Sequence, residues 1–87
     1  MYKLLYSKHA AKFIKKQDRP LKTRIENTLL TLAEAPFATT TLDIKYLKGT
    51  NGVFRLRIGK IRILYEVIEE ELVIYIITAG NRGDVYK

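Results

Sequence analysis

The spacing of apolar residues changes once along this chain. Ala10, Phe13, Ile14 and Gln17, then Leu21, Ile25, Leu29 and Leu32, recur every three or four positions. That is the period of a helix with one buried stripe. From Val53 onward the period drops to two. Phe54, Leu56 and Ile58 alternate with Val53, Arg55 and Arg57, and Ile61, Ile63, Tyr65 and Val67 alternate with Arg62, Leu64 and Glu66. Leu72 through Thr78 is apolar on both faces, which predicts an interior strand. Residues 2–6 form a short apolar run that predicts a first strand.

The punctuation fits these elements. Ser7 stands where the first helix needs an N-cap. Asp18-Arg19-Pro20 interrupts the helical pattern, because a residue before proline is biased away from helical angles. Ala35-Pro36-Phe37 ends the second helix, and residues 38–51 read as irregular. Gly59-Lys60 predicts a two-residue type II′ hairpin, and Glu69-Glu70-Glu71 a second turn. Gly80 opens a loop after the last strand. The expected fold class is α+β: an N-terminal strand, a helical hairpin, then a mostly antiparallel sheet with both helices on one face.

Composition narrows the class. The chain of 87 residues is one domain, residues 1–87, and buries only about 60% of its unfolded surface. It has no cysteine, which excludes disulfides, thiolate chemistry and Cys-based zinc sites and fits a reducing compartment. No apolar run approaches the length of about 20 residues that spans a membrane. The opening Met1-Tyr2-Lys3-Leu4 lacks the layout of a signal peptide. A cytoplasmic protein without membrane attachment is expected.

Charge changes the picture more. The net +7 divides into +6 over residues 8–24, +6 over residues 45–62, which hold no acid, and −5 over the rest. Two basic patches predict a polyanionic partner. The first reads as the solvated face of the helical hairpin. The second is more specific. With Gly59 and Lys60 as the loop, Ile58 pairs with Ile61, Arg57 with Arg62, Leu56 with Ile63 and Phe54 with Tyr65. Arg57 and Arg62 then share a face with Arg55. Like charges directly opposite destabilise a strand pair, whereas an anion between two guanidiniums reverses the sign. A row of solvent-facing arginines is the plainer alternative.

The remaining chemistry is limited. His9 is the single histidine and sits among lysines, so it reads as a surface residue. The three consecutive glutamates face different ways and do not form a metal cage. No Ser-His pairing and no glycine-rich phosphate loop is present. Arg, Lys and Tyr suffice for one reaction class, transfer of an RNA phosphodiester to its own 2′-hydroxyl. There the substrate supplies the nucleophile and the protein supplies alignment, charge stabilisation and proton transfer. DNA lacks that hydroxyl.

Several segments, in order, resemble the RelE branch of the RelE/ParE toxin superfamily, the toxin halves of prokaryotic type II toxin–antitoxin pairs. They are Ser7-Lys8-His9-Ala10-Ala11-Lys12, Leu47-Lys48-Gly49, Phe54-Arg55-Leu56-Arg57-Ile58, Ile61-Arg62-Ile63-Leu64-Tyr65-Glu66-Val67-Ile68 and Gly80-Asn81-Arg82-Gly83-Asp84-Val85-Tyr86. The resemblance implies a RelE-like fold and an mRNA interferase. Such an endoribonuclease cuts mRNA in the ribosomal A site by 2′-hydroxyl attack, without metal or other cofactor, and so inhibits translation. It implies a cognate antitoxin protein and the ribosome as partners. Mapped by motif, Arg57, Arg62, Arg82 and Tyr86 are the catalytic set, and Lys48, Arg55 and Lys60 bind RNA. Arg62 and Arg82 would stabilise the phosphorane, and Tyr86 would stack on a base or move a proton.

Family members often carry lysine where Arg55 and Arg57 stand. Arginine does not deprotonate in proteins, so Arg57 is no simple general base. Tyr86, the ribosome or solvent is left to accept the proton. Relatives often continue into a C-terminal helix, so regulation through that helix is not expected here. Two other readings stay open: a ParE-like toxin that poisons gyrase, and a non-catalytic RNA or ribosome binder. Finally, Leu64, Val73, Tyr75 and Ile77 are expected beside Arg62 as an exposed apolar patch. An antitoxin segment would cover part of it.

Overall fold

The computed structural model describes residues 1–37 and 41–81. The order is β1 (Lys3–Tyr6), α1 (Lys8–Lys15), α2 (Arg19–Glu34), β2 (Asp43–Tyr46), β3 (Val53–Ile58), β4 (Ile61–Ile68) and β5 (Val73–Asn81), with a turn of 3-10 helix at Glu69–Glu71. The five strands form one sheet in the order β1-β5-β4-β3-β2. Only β1 and β5 are parallel, which the intervening helical crossover permits. β5 is interior, as its two apolar faces predict.

Local chemistry sets the helix ends. The Ser7 hydroxyl accepts from the Ala10 N–H at 3.0 Å and donates to the Ile77 carbonyl at 2.7 Å. One side chain therefore caps α1 and ties it to β5. Asp18 Oδ1 accepts from the Leu21 N–H at 3.0 Å. Pro20 follows in the first turn of α2, where a missing N–H costs little.

Both helices pack on one face of the sheet. Ala10 and Ile14 of α1 and Ile25, Leu29 and Leu32 of α2 meet Leu56, Ile58, Ile61, Ile63, Tyr65, Ile74, Ile76 and Ala79. Tyr65 is the largest fully buried side chain, and its hydroxyl donates to the Pro36 carbonyl at 3.0 Å. Phe54 stacks on Tyr65 with centroids 5.5 Å apart.

The β3–β4 hairpin has the expected register: Ile58 faces Ile61, Arg57 faces Arg62, Leu56 faces Ile63 and Phe54 faces Tyr65. Gly59 has φ +58°, and Lys60 is absent from the positive-φ residues. A type I′ turn needs positive φ at both positions, so this is the II′ form.

Three expectations need correction. Residues 38–51 are not irregular throughout, because Asp43–Tyr46 forms β2 on the β3 edge. Its Leu42-Asp43-Ile44-Lys45 alternation is too short to stand out. Pairing with β3, and packing of Leu42 and Ile44 against the core, supply the rest. Leu72 is not a strand residue but a left-handed turn position. Gly80 does not open a loop. It lies within β5 opposite Arg62, because the ladder to β4 runs on as far as Ile61 and Asn81.

Candidate RNA-binding face

The sheet face away from the helices carries the charge. Alternation along β3 and β4 puts Arg55, Arg57 and Arg62 there, and Asp43 and Lys45 join them from β2. Asp43 faces Arg57, Arg57 faces Arg62, and Arg62 faces Gly80. A single row therefore crosses four strands, an acid, two arginines and a glycine, at steps of about 4.8 Å.

Asp43 is the charged member of this face that pattern reading misses. Its Oδ2 accepts from Arg57 Nε at 2.8 Å and its Oδ1 from an Arg55 terminal nitrogen at 2.7 Å. The stretch over residues 45–62 lacks an acid only because its acid lies two positions upstream. The signal was the Leu42-Asp43-Ile44 alternation, read in the register that β3 imposes. The pairing also tempers the like-charge problem at Arg57 and Arg62, since one carboxylate offsets part of the arginine charge.

Burial differs along the row. The Arg55 side chain is only 13% exposed, with its Nε buried and unpartnered, while Arg57 is 48% exposed and Asp43 41%. Arg62 is half-buried and has an interaction of its own. Arg57 is thus the more accessible arginine of β3, and Arg55 is held largely within the sheet surface.

The other expected site residues divide. Lys60 is exposed in the hairpin turn, one residue from Ile61 and near the row. Lys48 is exposed in the loop between β2 and β3, at the opposite end of β3, so the structure does not bring it to the arginine row. Arg82 and Tyr86 lie outside the described residues. Described chain ends at Asn81, which pairs with Ile61 beside Arg62.

The apolar residues expected beside Arg62 are less open than predicted. Val73 is buried at 8% exposure without any partner, and Leu64, Tyr75 and Ile77 are half-buried. A bulge between Leu64 and Tyr65 shifts the β4–β5 register there. Leu5, opposite Tyr75 on β1, is the more exposed apolar side chain of that corner.

Two tyrosines have raised pKa values. Burial pushes Tyr65 far above its ordinary value. Burial, and then the nearby Glu26 carboxylate, push Tyr6 up. Both stay protonated at neutral pH, and Tyr65 is committed to the core. No three His, Asp or Glu side chains gather into a potential metal-binding group among the described residues. No described helix is long and apolar enough to cross a membrane.

This fold and face define a class. The family of ParE toxins of type II toxin–antitoxin systems, parDE, matches residues 4–86. A protein of Methanocaldococcus jannaschii named RelE1 is 36% identical over 64 residues, covering 74% of this chain and 71% of that protein. The RelE–RelB complex of Pyrococcus horikoshii OT3 matches with a TM-score of 0.83 at 24% identity, over 97% of this chain and 98% of that one. The RelB–RelE complex of Methanococcus jannaschii matches with a TM-score of 0.77 at 25% identity, over 95% of each chain. The chain belongs to the RelE/ParE superfamily of type II toxin–antitoxin toxins, on its RelE branch.

Proposed function

We propose that this toxin is a ribosome-dependent mRNA endoribonuclease, held in check by a cognate antitoxin. One observation carries the reading. Arg57 and Arg62 stand directly opposite on adjacent strands, on the sheet face away from α1 and α2. Two guanidinium forks at strand spacing match the oxygens of one phosphodiester. In this reading they bind the scissile phosphate and stabilise charge on the phosphorane, while Arg55 and Lys60 hold flanking phosphates. Arg82 and Tyr86 complete the site by motif, and Lys48 contacts RNA farther along β3. The RelE relatives solved with RelB support an antitoxin partner. The cytoplasm, where ribosomes and mRNA meet, is the compartment this activity needs.

The test is cleavage of a programmed message by purified protein, with and without ribosomes, read by primer extension. Wild type should cut only on ribosomes, and Arg62→Ala should lose about 10²–10³-fold in rate, the usual cost of one charge-stabilising group. An intact message, under conditions where an authentic RelE cuts it, would sink the proposal. The ParE description of the matching family favours a second reading, gyrase poisoning. A supercoiling assay at matched concentration separates the two.

A further inference from the structure

The geometry points to Asp43 as the general base that takes the proton from the attacking 2′-hydroxyl. This rests on the ribonuclease reading above and fills the place that the arginines leave vacant. Neither Arg55 nor Arg57 can accept a proton at neutral pH. Asp43 is a carboxylate on the same sheet face, one strand from Arg57 and two from Arg62 in a continuous row. A phosphate between Arg57 and Arg62 therefore has the carboxylate on one flank. On the other is Gly80, which faces Arg62 from β5 and places no side chain in the row.

The carboxylate is both held and available. Each oxygen accepts one arginine N–H, from Arg55 at 2.7 Å and Arg57 at 2.8 Å, which fixes its orientation. A carboxylate has about four lone-pair sites, so each oxygen keeps one. Asp43 is 41% exposed, enough for a ribose to reach it. Charged groups around it are Arg55 and Arg57 on β3, Lys45 on its own strand and face, and Arg62 one strand beyond. All are cationic, so among the described residues of this row Asp43 is the anion.

The step balances without a further reagent. The 2′-O–H proton passes to an Asp43 oxygen as the 2′-oxygen bonds to phosphorus. The bond from phosphorus to the 5′-oxygen breaks, and that oxygen takes a proton from solvent. The products are a 2′,3′-cyclic phosphate and a 5′-hydroxyl end, and the Asp43 carboxyl returns its proton to solvent.

The opposing role for Asp43 is purely electrostatic, a strap that orders and partly neutralises the arginines. The two roles predict opposite signs. Single-turnover cleavage on programmed ribosomes should be measured for wild type, Asp43→Asn and Asp43→Glu across pH, with far-UV circular dichroism to verify folding. If Asp43 is the base, Asp43→Asn slows the chemical step by about 10²–10⁴-fold, the usual span of general-base catalysis. Ribosome affinity should hold or improve, the acid limb of the pH–rate profile should vanish, and Asp43→Glu should restore part of the rate. Cleavage by Asp43→Asn at or above the wild-type rate overturns the inference and leaves the ribonuclease reading intact. So does a slower rate that keeps the wild-type acid limb. Absence of cleavage by wild type overturns both.

Discussion

Arg24 on α2 rests its guanidinium against Gly59, so closely that a β-carbon at Gly59 would lie 3.3 Å from Arg24 Nη1. The contact joins the two basic patches of the sequence, because the Gly59-Lys60 turn connects the strands of Arg57 and Arg62. No acid is paired with Arg24 among the described residues. Its fork is therefore available to a phosphate passing round the hairpin end. Arg24→Met, which keeps most of the stem, should weaken binding of a fluorescent oligouridylate. It should also lower the slope of log K against log salt by about 0.7, the single-strand value for one phosphate contact. An unchanged slope would assign Arg24 to the solvated helix face.

Gly59 itself should resist substitution. Gly59→Ala meets two costs, a positive φ worth about 1–2 kcal/mol to an L-residue and the crowding against Arg24. A domain of this size loses about 4–8 °C of Tm per kcal/mol. A thermal melt should show Gly59→Ala down by at least that much, while Lys60→Ala, with an exposed side chain, should stay near wild type.

How much of this was legible in the sequence depended on what each residue needs from its neighbours. The II′ hairpin, its register, the Ser7 cap and the interior position of β5 follow from local spacing and turn chemistry, so all could be read directly. The Arg57–Arg62 opposition followed from that register. β2 could not be read, because four edge residues with one strongly apolar inward position, Ile44, look like a loop until β3 pairs with them. With β2 hidden, nothing in the spacing places Asp43 beside Arg55 and Arg57, its partners in the fold. Gly80 was misread for the opposite reason. Glycine signals a turn by itself, and only the ladder to β4 makes it strand.

Ser7 gives a test of local against tertiary capping. Its hydroxyl both accepts from Ala10 and donates to the Ile77 carbonyl, and its own N–H donates to the Ile76 carbonyl at 3.0 Å. Ser7→Ala removes the side-chain bonds and should cost about 1–2 kcal/mol, toward the upper end of the range for N-caps. Hydrogen exchange should rise in the first turn of α1 and beside Ile77 on β5. A rise confined to α1 would show that the bond to β5 contributes nothing.

Alkaline stability should follow Tyr65. Its folded pKa is raised above the ordinary 10.0, chiefly by burial. Below about pH 10 both folded and unfolded chains hold the proton, and the contribution is fully present. Above it the unfolded chain releases the proton while the folded chain keeps it. Stability then falls by up to about 1.4 kcal/mol per pH unit for this one group. Tyr65→Phe should flatten that fall in urea titrations between neutral and strongly alkaline pH. At neutral pH it should cost about 1–3 kcal/mol by leaving the Pro36 carbonyl without its buried donor. Equal alkaline slopes in the two proteins would mean that other groups govern the loss.

Leu72 is the place where stability can be gained. It is the one described non-glycine residue with positive φ, at φ 53° and ψ 48°, directly after the Glu69–Glu71 turn. A left-handed conformation costs an L-residue about 1–2 kcal/mol. The leucine side chain recovers little of that, being 55% exposed. The backbone roles are what hold the position. The Leu72 N–H donates to Glu69 at 3.2 Å, and its carbonyl accepts from the Lys3 N–H at 2.8 Å, which starts the β1–β5 ladder. Glycine keeps both bonds and removes the steric cost, at an entropic penalty of roughly 0.5–1 kcal/mol in the unfolded chain. Leu72→Gly should therefore gain about 0.5–1 kcal/mol, and Leu72→Asn, which tolerates this region with less entropy loss, at least as much. Both variants should melt a few degrees above wild type. A lower Tm for both would mean that the exposed leucine makes apolar contacts worth more than the backbone strain.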